Sequence, residues 1–297
     1  MPVELNYRAL VSGEINVSSN FVDFYIPFNK IVLIEEKAMK QKVIYYEDEL
    51  NDEFAGDSIV PRKIDESYIY IPKGIWKRFT HFFWYRLVAT PLAYLYLKLK
   101  FHHKIINKSA LKPFRGDSYF LYGNHTHFMA DALIPSMISF PKHTYVIVHA
   151  NNVSMPVLGR ITPSLGAIPL PDDGRALKNF TKCIERRIEE KRCITIYPEA
   201  HIWPYYTKIR AFPSLSFSYP IHYQKPVFCF TNVYLKRRLS RNPKMVTYID
   251  GPFYPDTTLP VRQQREELRN RVYTQMTERS RLNTVEIIKY IPKGVEE

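Results

Sequence analysis

The sequence predicts an α/β fold, with a mixed central sheet flanked by helices, over residues 105–297. The first observation behind this prediction is that short aromatic and β-branched runs alternate with helical patterns from Tyr119 onward. The second is that two of these runs, at 119–122 and 193–197, lead directly into polar segments, as buried strands do at a sheet edge. The third is size, since a chain of 297 residues with 45% hydrophobic residues can bury a large core.

Each element of this domain is predicted from its own pattern. Apolar runs predict the strands, which cover residues 119–122, 145–148, 193–197, 227–233 and 245–249. Residues 173–190 form a predicted amphipathic helix whose apolar face carries Leu177, Phe180, Ile184 and Ile188. Residues 258–282 form a second one, with a threonine cap at Thr258 and an inward face of Val261, Leu268, Val272 and Met276.

Residues 1–75 are predicted to form a β-rich N-terminal extension. Its strand-like runs cover residues 24–26, 31–34, 43–46 and 68–71, and an acidic, turn-rich stretch at 47–57 interrupts them. No catalytic or ligand-binding pattern stands out in this region.

Residues 76–104 form a membrane-interfacial or anchoring segment in our prediction. Residues 79–97 are dominated by apolar and aromatic side chains. Basic residues flank them, namely Lys77, Arg78, Lys98, Lys100 and Lys104. The length approaches a membrane span, but Arg86, His81 and Pro91 argue against a clean one. We expect one helix, or two short helices broken near Pro91, lying in the lipid interface, with a true span and a soluble core helix as the alternatives.

The formal net charge of +13, from 42 basic and 29 acidic residues, favours anionic partners. The basic residues are spread over many segments, and no helix-turn-helix or single-strand-binding signature is present, so we expect no nucleic-acid partner. Anionic membrane lipids are the expected partner surface.

The three cysteines, Cys183, Cys193 and Cys229, have neither paired nor metal-type spacing. Two lie in apolar segments, which indicates buried free thiols in a reducing compartment. The N-terminus lacks the basic start and apolar core of a signal peptide. We therefore expect a peripheral or monotopic membrane protein on the cytoplasmic face.

Two polar segments carry the candidate chemistry. Asn124 and His125 follow the strand at 119–122, with Asp131 six residues after the histidine, and Tyr-Pro-Glu-Ala-His at 197–201 ends the strand at 193–197. Because the carboxyl ends of parallel strands meet at one sheet edge, His125, Asp131 and Glu199 are expected to lie close together. A histidine with two carboxylates can form a general-base site.

These segments resemble the glycerolipid acyltransferase family, which includes the 1-acylglycerol-3-phosphate acyltransferases. The family's first block is Asn-His, then four residues, then Asp; here five residues separate His125 from Asp131. Its third block, Phe-Pro-Glu-Gly-Thr-Arg, is similar to residues 197–202, which read Tyr-Pro-Glu-Ala-His-Ile. Its second block resembles the run from Gly166 to Leu170, although Asp172 stands where an arginine would fall, and Pro226 matches a fourth block. The resemblance covers about residues 80–255.

The resemblance implies a role for each matching residue. His125 would be the general base and Asp131 the group that orients it. Glu199 would bind the glycerol part of the acceptor or organise the site around the histidine. The family's phosphate-binding arginine is absent, because Ile202 occupies its place. The remaining candidate substrate-binding residues are Asn124, His127, Gly166, Lys208 and Arg210.

The spacing leaves the identity of the base open. At about 100° per residue, His127 and Asp131 share a helix face, whereas His125 meets Asp131 only from the turn before the helix. We favour His125, since the family's own spacing also needs its histidine off the helix.

The expected activity is transfer of a fatty acyl group from acyl-CoA or an acyl carrier protein thioester to a lysophospholipid or related glycerolipid. No metal and no bound cofactor are expected. Two alternatives stay open: a zinc-dependent hydrolase that uses the His125 and His127 pair, and a non-catalytic basic membrane-binding protein.

Overall fold

The computed structural model describes residues 41–54, 60–71, 74–156, 158–238, 240 and 242–294. The chain divides into two units, residues 1–41 and 42–297, and the account below concerns the second. The predicted strands at 24–26 and 31–34 lie outside the described residues.

The central sheet has seven strands in the order β2-β8-β7-β3-β6-β4-β5. The strands of the protein are β1 (Lys42–Tyr46), β2 (Lys104–Ile106), β3 (Tyr119–Gly123), β4 (Thr144–Val148), β5 (Ala167–Pro169), β6 (Cys193–Ile196), β7 (Val227–Leu235), β8 (Lys244–Phe253) and β9 (Ile288–Pro292). Every neighbouring pair in this sheet is parallel except β7 and β8, which are antiparallel. The predicted mixed α/β sheet is confirmed.

Helices cover both faces of the sheet. They are α1 (Ile75–Phe82), α2 (Thr90–Phe101), α3 (Phe128–Ser139), α4 (Leu158–Ile161), α5 (Gly174–Glu189), α6 (Ser218–Tyr223) and α7 (Val261–Ser280). A π-helical segment, Phe83–Ala89, joins α1 to α2, and short 3-10 turns cover Lys108–Gly116, Ala150–Val153, Thr162–Leu165 and Leu215–Phe217.

Strand β3 lies between two hydrophobic cores because successive strand side chains point to opposite faces. Phe120 and Tyr122 pack in one core with side chains of α5 and α7. Tyr119 and Leu121 pack in the other with side chains of α2 and α3. The sheet is therefore the middle layer, and its central strand is buried on both faces.

A separate two-stranded sheet pairs β1 with β9 in parallel. Tyr46 of β1 and Tyr290 of β9 both pack on the indole ring of Trp203, at centroid distances of 4.8 and 4.9 Å. The predicted strand at 43–46 is thus present, and it packs on the loop that follows β6.

The predicted strand at 68–71 is wrong. These residues form no ladder; instead Tyr70 donates a hydrogen bond from its hydroxyl to the carbonyl of Pro169, and its ring contacts Phe180 of α5. The aromatic residues of this run pack a loop against α5. Composition alone does not distinguish such a loop from a paired strand.

Two details of the predicted helices are also wrong. Val261 begins α7 but is 65% exposed, and Thr258 bonds to Asp256 in a turn before the helix rather than capping it. Leu177 of α5 is exposed, although Phe180 and Ile184 are buried as predicted. Periodicity locates the central residues of an amphipathic face better than the ends of the helix.

Residues 75–101 form one nearly continuous helical segment instead of two helices broken at Pro91. The backbone N–H of Thr90 bonds to the carbonyl of Tyr85, five residues earlier, so the hydrogen-bond register changes just before Pro91, which lacks an N–H. None of the described helices is both long enough and apolar enough to span a bilayer. Many large apolar side chains of this segment are exposed, among them Trp76, Phe79, Phe82, Phe83, Leu87, Leu92 and Leu95.

Gly123 ends β3 where no side chain fits. A Cβ added there would lie 2.1 Å from the ring of Phe230 on β7. We predict that Gly123→Ala destabilises the protein by roughly 1–3 kcal/mol through overpacking, and that Phe230→Leu in the same chain restores part of the loss. Urea unfolding measures both. Gly116, which has open space around it, is the matched control, and equal effects of the two Gly→Ala changes would contradict this view of the packing.

Candidate active site

His125 and Asp131 form a hydrogen-bonded pair just beyond the carboxyl end of β3. The imidazole Nδ1 of His125 lies 2.9 Å from Oδ2 of Asp131. The aspartate side chain is 1% exposed, whereas that of His125 is 17% exposed. The pair therefore presents the imidazole toward solvent and keeps the carboxylate inside. The two residues predicted to act together are in contact.

Asp131 is held by the start of its own helix. Its Oδ2 atom also accepts hydrogen bonds from the backbone N–H groups of Thr126, at 2.7 Å, and His127, at 2.8 Å. These N–H groups lie at the amino end of α3, where the helix dipole favours a negative charge. Two backbone contacts therefore fix the carboxylate in addition to its contact with His125.

His127 serves as the N-cap of α3, and its Nδ1 accepts the backbone N–H of Ala130 at 3.2 Å. Its ring packs edge-on against Phe101 and Tyr205. Burial lowers the pKa of His127 to about 4. The geometry places the imidazole of His125, not that of His127, beside the carboxylate, and the His127 ring lies inside the fold and not in an open substrate pocket.

Tyr197 is a site residue that the sequence reasoning did not single out. Its ring stacks on the imidazole of His125 at a centroid distance of 4.4 Å, and its hydroxyl donates to the backbone carbonyl of Asp131. The tyrosine thus contacts both members of the pair. Its place directly before Pro198 and Glu199, where the resembling family has phenylalanine, was the available signal.

Asn124 joins the end of β3 to β7. Its amide donates to the carbonyl of Asn232 at 3.1 Å and accepts from the backbone N–H of Asn232 at 2.8 Å. The side chain of Asn232 in turn lies 3.4 Å from Oδ1 of Asp131. Asn124 is buried. The predicted substrate contact for Asn124 is therefore replaced by a contact that fixes the segment before His125.

Glu199 lies beneath the backbone of His125. Its Oε2 accepts the His125 N–H at 3.4 Å and faces Arg210 Nη2 at 3.4 Å, while Oε1 is buried without a hydrogen-bond partner among the described residues. Burial raises the pKa of Glu199 to about 7, against the opposing effect of Arg210. Of the two predicted roles, the contacts match the organisation of the site around the histidine.

Arg210 is not placed to contact a substrate, contrary to the prediction. Its side chain is 0% exposed, and its guanidinium donates to the carbonyls of Glu49, Glu199 and His201. The guanidinium carbon also lies 4.9 Å from the ring centroid of Trp203. Arg210 binds the site loop internally, because both of its Nη atoms donate to backbone oxygens and the side chain has no exposed surface that a substrate could reach. Lys208, two residues earlier, is exposed.

The described part of the N-terminal extension supports this loop. Trp203 donates its indole N–H to the carbonyl of Asp52 at 2.7 Å, and His201 Nδ1 lies 3.2 Å from the carboxylate of Glu53. The backbone N–H of Trp203 also bonds to the carbonyl of His125 at 3.2 Å. Residues 49–53 therefore support the loop that in turn positions the histidine.

Gly166 lies away from this site. It precedes β5, and its neighbour Ala167 pairs with Val146 in the middle of β4, so Gly166 is near the amino edge of the sheet. A Cβ at Gly166 would meet the carbonyl of Thr144 at 2.5 Å, at a φ of +98°. The glycine is needed for this tight approach. Its predicted substrate contact is not supported, because His125 lies at the opposite edge.

The predicted zinc alternative finds little support in the geometry. The ring of His127 packs between Phe101 and Tyr205 inside the fold and is not paired with the ring of His125 at a common open site. Among the residues that the structure describes, no group of three or more histidine, cysteine, aspartate or glutamate side chains could hold a metal ion.

The fold is similar to that of a known lipid enzyme. The crystal structure of the 1-acyl-sn-glycerophosphate (LPA) acyltransferase PlsC from Thermotoga maritima matches with a TM-score of 0.50 and 15% sequence identity, over 71% of this chain and 89% of that one. The two chains share a fold. Neither a protein-family model nor a curated protein matches the sequence.

Burial of Glu199 predicts a pH-dependent stability. Because its folded pKa of about 7 exceeds the ordinary value of 4.5, the stabilising contribution is complete below pH 4.5 and is lost as the pH rises through 7. We expect wild type to lose up to about 3 kcal/mol relative to Glu199→Gln across this window. Urea unfolding of both proteins at several pH values measures it. The exposed Glu185→Gln is the control, and a pH-independent difference for Glu199→Gln would refute the assignment.

Proposed function

We propose that the protein transfers a fatty acyl group from an acyl thioester to a hydroxyl of a lysophospholipid or related glycerolipid. The observation that carries this proposal is the contact of His125 Nδ1 with the buried Asp131 carboxylate, next to the carboxyl end of β3. The similar fold of an LPA acyltransferase supports it. Similarity of fold alone fixes no activity, so the argument rests on the side chains.

The geometry supports a general-base mechanism. With Nδ1–H donated to Asp131, the unprotonated Nε2 of His125 can take the proton of the acceptor hydroxyl as its oxygen attacks the thioester carbonyl. The tetrahedral intermediate then collapses and expels the thiolate, which takes that proton from the imidazolium to leave as a thiol. Asp131 holds the tautomer and stabilises the imidazolium while it exists.

Acyl transfer is proposed to be direct, without an acyl-cysteine intermediate. Cys183, Cys193 and Cys229 are all buried and free, as predicted. Burial raises the pKa of each thiol, so none is activated as a thiolate. The acyl group therefore passes from donor to acceptor in one exchange.

In this proposal, the acceptor headgroup is bound without the arginine that typical members of the glycerolipid acyltransferase family use. Ile202 replaces the expected arginine, and Arg210 is occupied inside the loop. The exposed Lys208 is the remaining predicted cation on this loop. Either coenzyme A or an acyl carrier protein fits as the donor carrier, since both are anionic and the chain has a net charge of +13.

We also propose that the protein attaches peripherally to the cytoplasmic face of a membrane. The exposed aromatic residues of α1 and the π-helical segment form an apolar surface that water solvates poorly. Phe128 and Met129, which begin α3 beside the site, are 39% and 38% exposed and carry apolar surface to the edge where His125 lies. Helix α2 runs between this segment and the site, with Leu92, Leu95 and Leu99 exposed and its last residue, Phe101, packed on His127. We propose that a lipid acceptor reaches the imidazole from the bilayer along α2.

The base assignment predicts loss of transfer in His125→Gln. Removing a general base should lower the rate by about 10²- to 10⁴-fold, with thermal stability close to wild type because His125 is partly exposed. Transfer from labelled acyl-CoA and acyl carrier protein thioesters to a panel of lysolipids measures it. His222→Gln, an exposed histidine on α6, is the matched control. Full activity in His125→Gln would favour the non-catalytic alternative.

The attachment proposal predicts weaker vesicle binding by Trp76→Ser/Phe79→Ser. These side chains are 79% and 58% exposed, and losing both from the interface should reduce partitioning by roughly 10- to 100-fold. Co-sedimentation with phospholipid vesicles measures it. Leu177→Ser/Leu215→Ser, which removes two exposed leucines on α5 and the 3-10 turn at Leu215, is the control. Equal partitioning of both double variants would count against this surface.

A further inference from the structure

A cavity of about 220 Å³ lies at the amino edge of the sheet, beside the start of β3 and the end of α3. Four basic residues line it, Lys108, Lys112, Arg115 and Lys142, and none of the described lining residues is acidic. His125 lies at the opposite, carboxyl edge of the same strand. The cavity is therefore separate from the proposed acyl-transfer site.

Neither of the two inner lysines, Lys108 and Lys142, forms an ion pair among the described residues, although Asp117 attracts Lys142 at longer range. Lys108 donates to the carbonyl of Met137 at 2.6 Å, and Lys142 donates to the carbonyls of Arg115 and Asp117 at 3.1 and 2.7 Å. Carbonyl oxygens satisfy the ammonium hydrogens but do not neutralise the charge. Burial lowers the pKa of both lysines, which reflects the cost of holding them charged at this depth.

The two outer cations are also without a counter-charge. Lys112 and Arg115 are exposed, and neither forms an ion pair within the described part of the chain. The nearby carboxylate of Asp117 is bound to Lys225 at 2.7 Å. Four basic residues thus line a cavity that has no acidic residue among its described lining, an arrangement that attracts an anionic ligand.

The rim of the cavity is shared with the aromatic helical segment. Phe140, on the rim, is 49% exposed, and its ring lies 5.2 Å from the guanidinium carbon of Arg86 and 5.8 Å from Lys108 Nζ. Arg86, from the π-helical segment, also donates to the carbonyl of Pro141. A ligand in the cavity would therefore lie next to the surface that we propose to contact lipid.

We propose that this cavity binds the phosphate of an anionic phospholipid headgroup and so orients the protein on the membrane. The inference rests on the membrane attachment proposed above, and it does not depend on the acyl-transfer chemistry. The lipid tails would extend past Phe140 along the apolar surface, while the phosphate meets the cations. A soluble phosphate ester has the same recognition chemistry and is the competing source of the ligand.

The test compares Lys112→Gln/Arg115→Gln with Lys178→Gln/Lys182→Gln, an equal charge change on α5, which packs on the other face of the sheet. Full-length protein is sedimented with vesicles of phosphatidylcholine alone or of equal parts phosphatidylcholine and phosphatidylglycerol. At roughly 1 kcal/mol per basic residue, the cavity variant should lose about 30-fold in partitioning to the anionic vesicles. Binding to the neutral vesicles should stay unchanged, and the control should lose no more than about threefold.

Equal losses in both double variants would overturn the proposal, because the effect would then come from net charge and not from the cavity. If the cavity variant sediments with anionic vesicles as wild type does, while glycerol 3-phosphate raises the thermal stability of wild type but not of the cavity variant, the headgroup assignment is overturned in favour of a soluble ester. Transfer to a detergent-dispersed acceptor is measured in parallel. If the cavity variant alone loses binding to anionic vesicles and the wild-type protein shows no transferase activity, the headgroup site is supported and only the proposed enzyme function is contradicted.

Discussion

The positions of the other site residues depend on the hydrogen bonds of the buried Asp131 carboxylate. A buried carboxylate is costly unless it is hydrogen-bonded, and here one oxygen accepts two backbone N–H groups at the start of α3 together with His125 Nδ1. The turn between β3 and α3 must therefore fold back over its own helix. This turn brings His125 out of the helix and leaves His127 as the N-cap, so the roles of the two histidines follow from one set of hydrogen bonds.

The loop after β6 and the N-terminal extension support the turn between β3 and α3. The loop after β6 contributes Glu199, and Arg210 binds this loop through carbonyl oxygens, including that of Glu49 in the N-terminal extension. The extension thus has a structural function near the site. The same contacts explain why Arg210 does not replace the arginine missing at position 202, since three carbonyls hold its guanidinium where it is completely buried and out of reach of a phosphate.

The sequence predicted the parts of the fold that depend on local pattern. Five of the seven strands of the central sheet, the central buried positions of α5 and α7, and the meeting of His125, Asp131 and Glu199 at one edge were predictable from apolar runs and the polar residues behind them. The two three-residue strands β2 and β5 were not predicted, because so short a run carries no clear pattern. The aromatic run at 68–71 was not, because loop packing and strand pairing favour the same residues. The positions of Arg210 and Gly166 could not be predicted either. Long-range contacts decide whether a guanidinium is buried and at which end of a strand a glycine lies. The boundaries predicted at residues 75 and 104 stay a prediction.

The tautomer of His125 offers the most direct test of this account. Nitrogen-15 NMR of the histidine side chains at neutral pH should show His125 protonated at Nδ1 and unprotonated at Nε2, with the Nδ1 proton shifted downfield by its bond to Asp131. Asp131→Asn should abolish that signature while the other histidine resonances persist. An Nε2-protonated His125 in the wild-type protein would leave no base facing the acceptor and would contradict the proposed mechanism.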